Sequence, residues 1–357
     1  MRISINARKI DGPYGGVNQF SNGLESSLAG HGHQVFRNLV DELDIILVVV
    51  SQSTSASASY VQEEIEDYVA LNPSVIVVQR VNTCDEQRAA RLGATESILR
   101  VNRIADFTVF VSAFIRDLYA GHGLDLSRPQ SVILSGADEE VFDPESRVSL
   151  PAEGKLGIVT HHWSSNVMKG FDIYERLDML LGSSPYESLF SYSYVGNMPP
   201  GFRFKNTTVL DPISGHALAD CLRSHHLYLT ASRHEPGGNH YIEAMRCGLP
   251  VLHLQSGSSA EYCEPYGGLG FTPLNFERKL MEFGNNAQEL RRQVLDCPFT
   301  TTWMSAQYLD LFSRLLASVN KEHPGNPSWK TRMTVGKNKL RRWAGYRRQQ
   351  LGRMLTG

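Results

Sequence analysis

Residues 233–251 read RHEPGGNHYIEAMRCGLPV, and this stretch carries the most informative pattern in the chain. Apolar residues at 227–230 predict a strand before it, and a second strand is predicted at 250–254. Between them, a glycine-rich turn would let the backbone approach a ligand closely. Asn239 is a suitable residue to cap a helix over 241–247, and Gly248 a suitable residue to end it. The stretch therefore predicts a strand, a turn, a helix and a strand of an α/β protein.

The start of the predicted helix has the character of an anion site. Free N–H groups and the positive end of the helix dipole favour a ligand such as a diphosphate. Glu243 lies within the first turns, where a carboxylate can accept hydrogen bonds from a ribose diol. Glu235, on the loop before the helix, would lie on the other side of the phosphates. Gly238, Asn239 and His240 at the helix start are further predicted contacts of such a ligand.

Outward from this stretch, strand-like and helical patterns alternate for about three hundred residues. Such alternation predicts parallel sheets with helices on both faces. We predict two Rossmann-like domains facing a central cleft, over residues 1–145 and 156–300, with an irregular linker near 138–155. A helix over 301–320 is expected to pack across the two domains. A chain of 357 residues commonly divides into two cores.

Composition argues against several classes of protein. Apolar residues make up 41% and charged residues 20%, and the net charge of −2 gives no general attraction to nucleic acid. The cysteines form no CxxC pair, and the histidines and carboxylates follow no recognised ligand spacing, so we predict neither disulfides nor a metal site. The start of the sequence has no signal-peptide pattern, and we expect a cytosolic protein.

The last segment, residues 330–357, differs from the rest. It contains nine Lys or Arg residues and no Asp or Glu. Its apolar residues could line one face of a helix, which suggests binding to an anionic membrane surface. A solvated tail, or a helix packed on the body of the protein, is the alternative.

The 235–251 stretch resembles the donor motif of retaining family-4 glycosyltransferases, the glycosyl transferases group 1, which have the GT-B fold. The resemblance lies in two glutamates with seven residues between them, followed by AMRCGLPV. Weaker similarities follow the same order along the chain, and they comprise GGV at 15–17, VFVS at 109–112, SGAD at 135–138, MKG at 168–170 and SSAE at 258–261.

The resemblance implies specific roles for these residues. Lys169 would neutralise the departing diphosphate, and Gly16 would bring its N–H near the donor phosphates. Glu243 would bind the ribose, and Glu235 would contact the transferred sugar. It also implies a nucleotide-diphosphate sugar as donor, a glycan or lipid-linked acceptor, retained anomeric configuration, and no metal or cofactor.

Two departures from the family pattern stand out. The family usually has an arginine a few residues before the lysine, but this chain has THHWSSN at 160–166, so Arg233 or a protonated histidine would have to compensate. The family often has a histidine after its fourth strand, whereas this chain has QRVNTCD at 79–85. Arg80, Asn82 and Asp85 are therefore predicted to face the cleft and touch acceptor or donor sugar, with turn capping and a surface ion pair as the alternative.

Three functions remain open from the sequence. The first is transfer of a hexose to an acceptor in cell-envelope polysaccharide synthesis. The second is another GT-B activity, such as that of a phosphorylase or epimerase. The third is a catalytically weakened partner protein that binds sugar nucleotides, which the missing arginine favours.

Overall fold

The computed structural model describes residues 1–10, 15–88, 93–318 and 335–336, and it contains two parallel six-stranded sheets. The first sheet has the order β2-β1-β3-β4-β5-β6. Its strands are β1 Arg2–Ile5, β2 Gln34–Phe36, β3 Ile45–Val48, β4 Ile76–Val81, β5 Phe107–Phe110 and β6 Gln130–Val132.

The second sheet has the order β12-β11-β10-β7-β8-β9. Its strands are β7 Leu156–His162, β8 Phe190–Gly196, β9 Thr208–Leu210, β10 Leu227–Thr230, β11 Val251–Leu254 and β12 Leu269–Phe271. In each sheet the strand order reverses beside the strand that comes first in the sequence, between β1 and β3 and between β7 and β10. Open α/β sheets bind ligands at such a point.

Helices connect the parallel strands. They are α1 Gly15–Gly30, α2 Gln62–Leu71, α3 Ala94–Asn102, α4 Ala113–Gly121, α5 Phe171–Leu180, α6 Tyr186–Leu189, α7 Gly215–Arg223, α8 Asn239–Arg246, α9 Ser259–Cys263, α10 Phe276–Asn285, α11 Ala287–Gln293 and α12 Thr301–Ser318. Within the described residues, none of them has the length and apolar character needed to cross a bilayer.

The last described long helix, α12, returns to the first sheet. Met304, Tyr308 and Phe312 are buried in the same apolar cluster as Phe20 and Leu24 of α1. The Phe20 and Tyr308 rings meet edge to face, with centroids 5.4 Å apart. Helices α1 and α12 therefore both pack in the core of the first sheet, although the whole second sheet lies between them in the sequence.

The prediction of an α/β fold with two parallel sheets is confirmed. Strand β7 runs as far as His162, which pairs in register with Gly196 of β8. Gly196 allows this approach, since a Cβ there would lie 1.9 Å from the carbonyl oxygen of His162. The basic segment 330–357 lies outside the described residues, apart from 335 and 336.

The predicted helix cap at Asn239 is wrong. Helix α8 begins at Asn239, and Gly238 is the capping position. The N–H of Gly238 donates to the Tyr241 hydroxyl at 2.6 Å, so the third helical residue binds the capping residue from inside the helix. The Asn239 amide is therefore available elsewhere, and it donates to Gln19 of α1. The predicted end at Gly248 agrees with its φ of +77°, a conformation that favours glycine.

Candidate functional site

A cleft of about 480 Å³ separates the carboxyl edges of the two sheets. We call its two sides the first wall and the second wall, after the sheet to which each belongs. The first wall includes Gly16, Gln19, Ser51, Arg80, Asn82 and Arg88, and the second wall includes His161, His162, Lys169, Glu235, Gly238, Asn239, His240 and Glu243. Most of the residues predicted from the sequence therefore meet in one cavity.

Lys169 and Glu235 form an ion pair in the second wall. The Lys169 Nζ lies 2.5 Å from Glu235 Oε2, and the two side chains are only 20% and 12% exposed. Lys169 ends a short helical turn, and Gly170 follows it with a φ of +87°. A Cβ at Gly170 would lie 2.3 Å from the carbonyl oxygen of Ala231. The glycine thus lets the Lys169 turn pack against the end of β10.

The loop that carries Glu235 is held from the side of β11 and α9. The N–H and hydroxyl of Ser258 each donate to the Glu235 carbonyl oxygen at 2.9 Å. Gly257 approaches the same residue, because a Cβ there would lie 2.4 Å from the Glu235 nitrogen. Gly257 also has a φ of +66°. Two independent features therefore require glycine behind Glu235.

We expect Gly257→Ala to destabilise the protein and to move Glu235. Gly201 provides the control, because it has a φ of +80° but no atom within 4 Å of an added Cβ. A strained positive φ costs about 1–3 kcal/mol in either variant. Chemical denaturation should show a larger loss of unfolding free energy for Gly257→Ala than for Gly201→Ala. Equal losses would mean that the contact with Glu235 is unimportant.

Glu243 contacts residues of both walls of the cleft. Its carboxylate accepts from Gln19 Nε2 of α1 at 3.1 Å and lies 2.9 Å from His161 Nε2. The Gln19 side-chain oxygen in turn accepts from the Asn239 amide. Gly16 lies beside Asn239, since an added Cβ would be 3.3 Å from its Nδ2. The starts of α1 and α8 are therefore adjacent across the cleft.

His162 and His240 lie buried beneath Lys169. Their rings are 4.7 Å apart, and they bind the Tyr174 and Thr230 hydroxyls at 2.7 and 2.9 Å. Burial lowers the pKa of both rings well below the usual value. The next contribution comes from the positive charge of Lys169 for His162, and from the neighbouring His162 ring for His240. Both rings are therefore neutral at pH 7. The idea that a protonated histidine replaces the missing arginine is wrong for these two residues.

Arg233 lies away from the cleft lining. Its guanidinium forms two hydrogen bonds with Asp172 of α5, at 2.7 and 2.9 Å. The hydrogen bond from Arg233 lowers the pKa of Asp172. Its positive charge is thus already paired with Asp172, although its backbone N–H donates to the carbonyl oxygen of Met168, next to Lys169, at 2.8 Å.

The remaining predicted residues lie on β4 and on the loop after it, and they fall into two groups. Arg80 and Asn82 line the first wall. Asp85 instead accepts from the N–H groups of Ala94 and Thr95, at 3.0 and 3.2 Å, at the start of α3. The capping alternative is therefore the one that the structure supports for Asp85, and Asp85 is not among the residues that line the cleft.

Several cleft residues were not predicted. Gln19, Arg88, Trp163 and Ile213 line the cavity, and His161 binds Glu243. The position of Gln19 on α1, one turn after the glycine loop, is the signal that could have found it. In the described part of the chain, no three His, Cys, Asp or Glu side chains are grouped closely enough to hold a metal ion.

Comparison with known proteins supports this fold. Residues 204–294 match the family model described as glycosyl transferases group 1. That range contains Glu235, Glu243 and most of the elements around them. The search of curated proteins gave no match to this sequence.

Solved structures resemble nearly the whole chain. Sucrose-phosphate synthase from Thermosynechococcus elongatus superposes with a TM-score of 0.64 at 14% identity, covering 89% of this chain and 100% of that one. Anabaena HepE in complex with UDP-glucose gives 0.62 at 14% identity, with coverage of 89% and 100%. The catalytic domain of Arabidopsis thaliana starch synthase IV, bound to ADP and acarbose, gives 0.62 at 12% identity, with coverage of 88% and 99%.

These similarities agree with the two parallel sheets and with the cleft between them. The chain has the GT-B fold of glycosyltransferases, and its residues 204–294 are similar to the glycosyl transferases group 1 family.

Proposed function

We propose that this protein is a retaining, metal-independent glycosyltransferase that uses a nucleotide-diphosphate sugar. The observation that carries the proposal is the placement of the Lys169–Glu235 pair beside the start of α8, with Gly16 across the cleft. A cation, a helix N-terminus and a glycine backbone together suit a diphosphate. HepE, which has the same fold, was solved with UDP-glucose.

The two carboxylates suit the two ends of such a donor. Glu243 is 5% exposed and keeps its carboxylate at the junction of the walls, where a ribose diol can donate to it. Glu235 lies beside Lys169, where the transferred sugar joins the diphosphate. The apolar faces of Val195, Ile213 and Leu218 in the second wall leave room for a nucleobase.

The chemistry follows from charge. The bond between the anomeric carbon and the diphosphate oxygen breaks, and its electron pair leaves with the diphosphate. Lys169 and the start of α8 stabilise that negative charge as it develops. The acceptor hydroxyl forms the new bond on the same face of the sugar, and its proton passes to the departing phosphate oxygen.

For the acceptor, we propose a glycan or a lipid-linked sugar of cell-envelope polysaccharide synthesis, handled at the inner face of a membrane. The basic segment 330–357 supports this, because nine cationic residues without a carboxylate suit an anionic surface. Removal of residues 330–357 should reduce co-sedimentation with anionic liposomes if the segment acts in this way.

A second candidate is a sugar-nucleotide-binding partner with weakened catalysis. One observation favours it: Arg233 is paired with Asp172, so Lys169 has no second cation beside it in the second wall as described. Such a protein would bind the donor without turning it over.

One experiment separates the two candidates. The purified protein is incubated with UDP-, GDP-, ADP- and TDP-sugars, and release of free nucleotide is measured for the wild type and for Glu235→Ala. We expect release with one donor, reduced at least about 100-fold in the variant because the pair with Lys169 is lost. Binding without release from any donor would support the partner protein and contradict the enzyme.

A further inference from the structure

Among the described residues, the charged side chains that line the first wall of the cleft are all positive. Arg80 and Arg88 line it, together with amides and hydroxyls such as those of Asn82, Thr83 and Ser51. Within the described residues, no Asp or Glu of the first sheet's half of the chain lines the cleft. The first wall is thus positive, whereas the second wall carries both signs.

Arg80 is a buried cation without a counter-ion. The residue is only 4% exposed, and its guanidinium lies 3.8 Å from the centre of the Phe20 ring. It donates to the Ser135 hydroxyl at 3.0 Å, while its buried Nε has no hydrogen-bond partner. In the described part of the chain, no carboxylate forms an ion pair with Arg80 or Arg88. A buried guanidinium in this state is stabilised by an added oxyanion.

We propose that the first wall recognises an oxyanion of the acceptor, a carboxylate or a phosphate, through Arg80 and Arg88. This inference rests on the proposed transferase function and names the acceptor class more closely. Arg88 is exposed and can meet the acceptor as it enters, whereas Arg80 lies deeper, with one guanidinium N–H bonded to Ser135 and its Nε–H unpaired. Planar guanidinium groups bind carboxylates and phosphates through paired hydrogen bonds.

The donor diphosphate is the competing partner for these arginines. Lys169 and the start of α8 already provide its site in the second wall, and Arg88 lies on the loop after β4 in the first wall. The two anions would therefore occupy opposite sides of the cleft. Occupying the donor site with a nucleoside diphosphate should leave the first wall accessible.

The test measures binding of three probes to the full chain by calorimetry, with saturating nucleoside diphosphate of the base found in the donor screen. The probes are methyl glucoside, methyl glucuronide and glucose 6-phosphate. We expect one or both anionic probes to bind at least about tenfold more tightly than the neutral one. The stronger of the two identifies carboxylate or phosphate as the recognised group.

Substitutions in the first wall test whether its arginines cause the preference for the anionic probes. Arg88→Gln and Arg80→Gln should each reduce the preference for the anionic probe severalfold, and Arg103→Gln, an exposed arginine after α3 outside the cleft lining, should not. Arg88 is exposed, so its variant tests the proposal even if Arg80→Gln fails to fold. Equal binding of all three probes would overturn the proposal, and so would an anion preference that vanishes when nucleoside diphosphate is present. Turnover of a donor with such a result would leave the proposed transferase function intact.

Discussion

Lys169→Met is expected to reduce kcat by at least about 100-fold with the best donor, because one lost donor to a developing oxyanion costs that much in comparable sites. Lys169 is the cation that lies at the start of α8 in the second wall, and neutral His162 and His240 beneath it cannot replace its charge. Nucleotide release under saturating donor measures the effect.

Removing Lys169 also leaves Glu235 without its cation, so a second variant is needed to separate the two effects. The double variant Lys169→Met with Glu235→Gln removes both charges of the pair. We expect kcat of the double variant to stay as low as that of Lys169→Met. Recovery of kcat would show that Lys169 serves only to neutralise Glu235. Lys205→Met, at an exposed lysine outside the cleft lining, is the matched control and should keep wild-type kcat.

Glu243→Gln should weaken binding of the nucleoside diphosphate by about 10- to 100-fold, since hydrogen bonds to a charged acceptor contribute about 1.5–3 kcal/mol. The substitution keeps the size of a side chain that contacts both Gln19 and His161. Calorimetric titration with the nucleoside diphosphate measures the loss. Glu175→Gln, at an exposed position on α5, should bind as the wild type does.

A ligand without the ribose hydroxyls tests the assigned contact. The wild type should bind the 2′,3′-dideoxy nucleoside diphosphate as weakly as Glu243→Gln binds the normal ligand. The variant should bind both ligands alike, because the contact is already lost. Losses that simply add would show that Glu243 acts elsewhere than at the ribose.

The fold was predictable because its signals are local. Strands of three to seven residues alternate with helical spacing, and glycines mark the turns between them. The short edge strand Gln34–Phe36 was missed, since three half-exposed residues carry little periodicity. The cap of α8 was misassigned because Tyr241, from inside the helix, supplies the oxygen that Gly238 binds.

The site was predictable only in part, for a related reason. Lys169, Glu235 and Glu243 follow from motifs along the chain, and the structure places them in one cleft. The contacts between distant segments do not follow, because Gln19 and Glu243 are 224 residues apart in sequence. The pairing of Arg233 with Asp172 and the capping role of Asp85 likewise depend on which helix starts lie nearby.

The return of α12 to the first sheet has a consequence for synthesis on the ribosome. The strands of the first sheet are made first, yet Met304, Tyr308 and Phe312 are needed to cover its core. That core stays open to solvent until residue 318 has emerged from the exit tunnel. The second sheet, whose strands end at Phe271 and whose buried core ends at Phe299, can therefore fold before the first one is closed. We therefore expect the half of the molecule that is translated first to finish folding last.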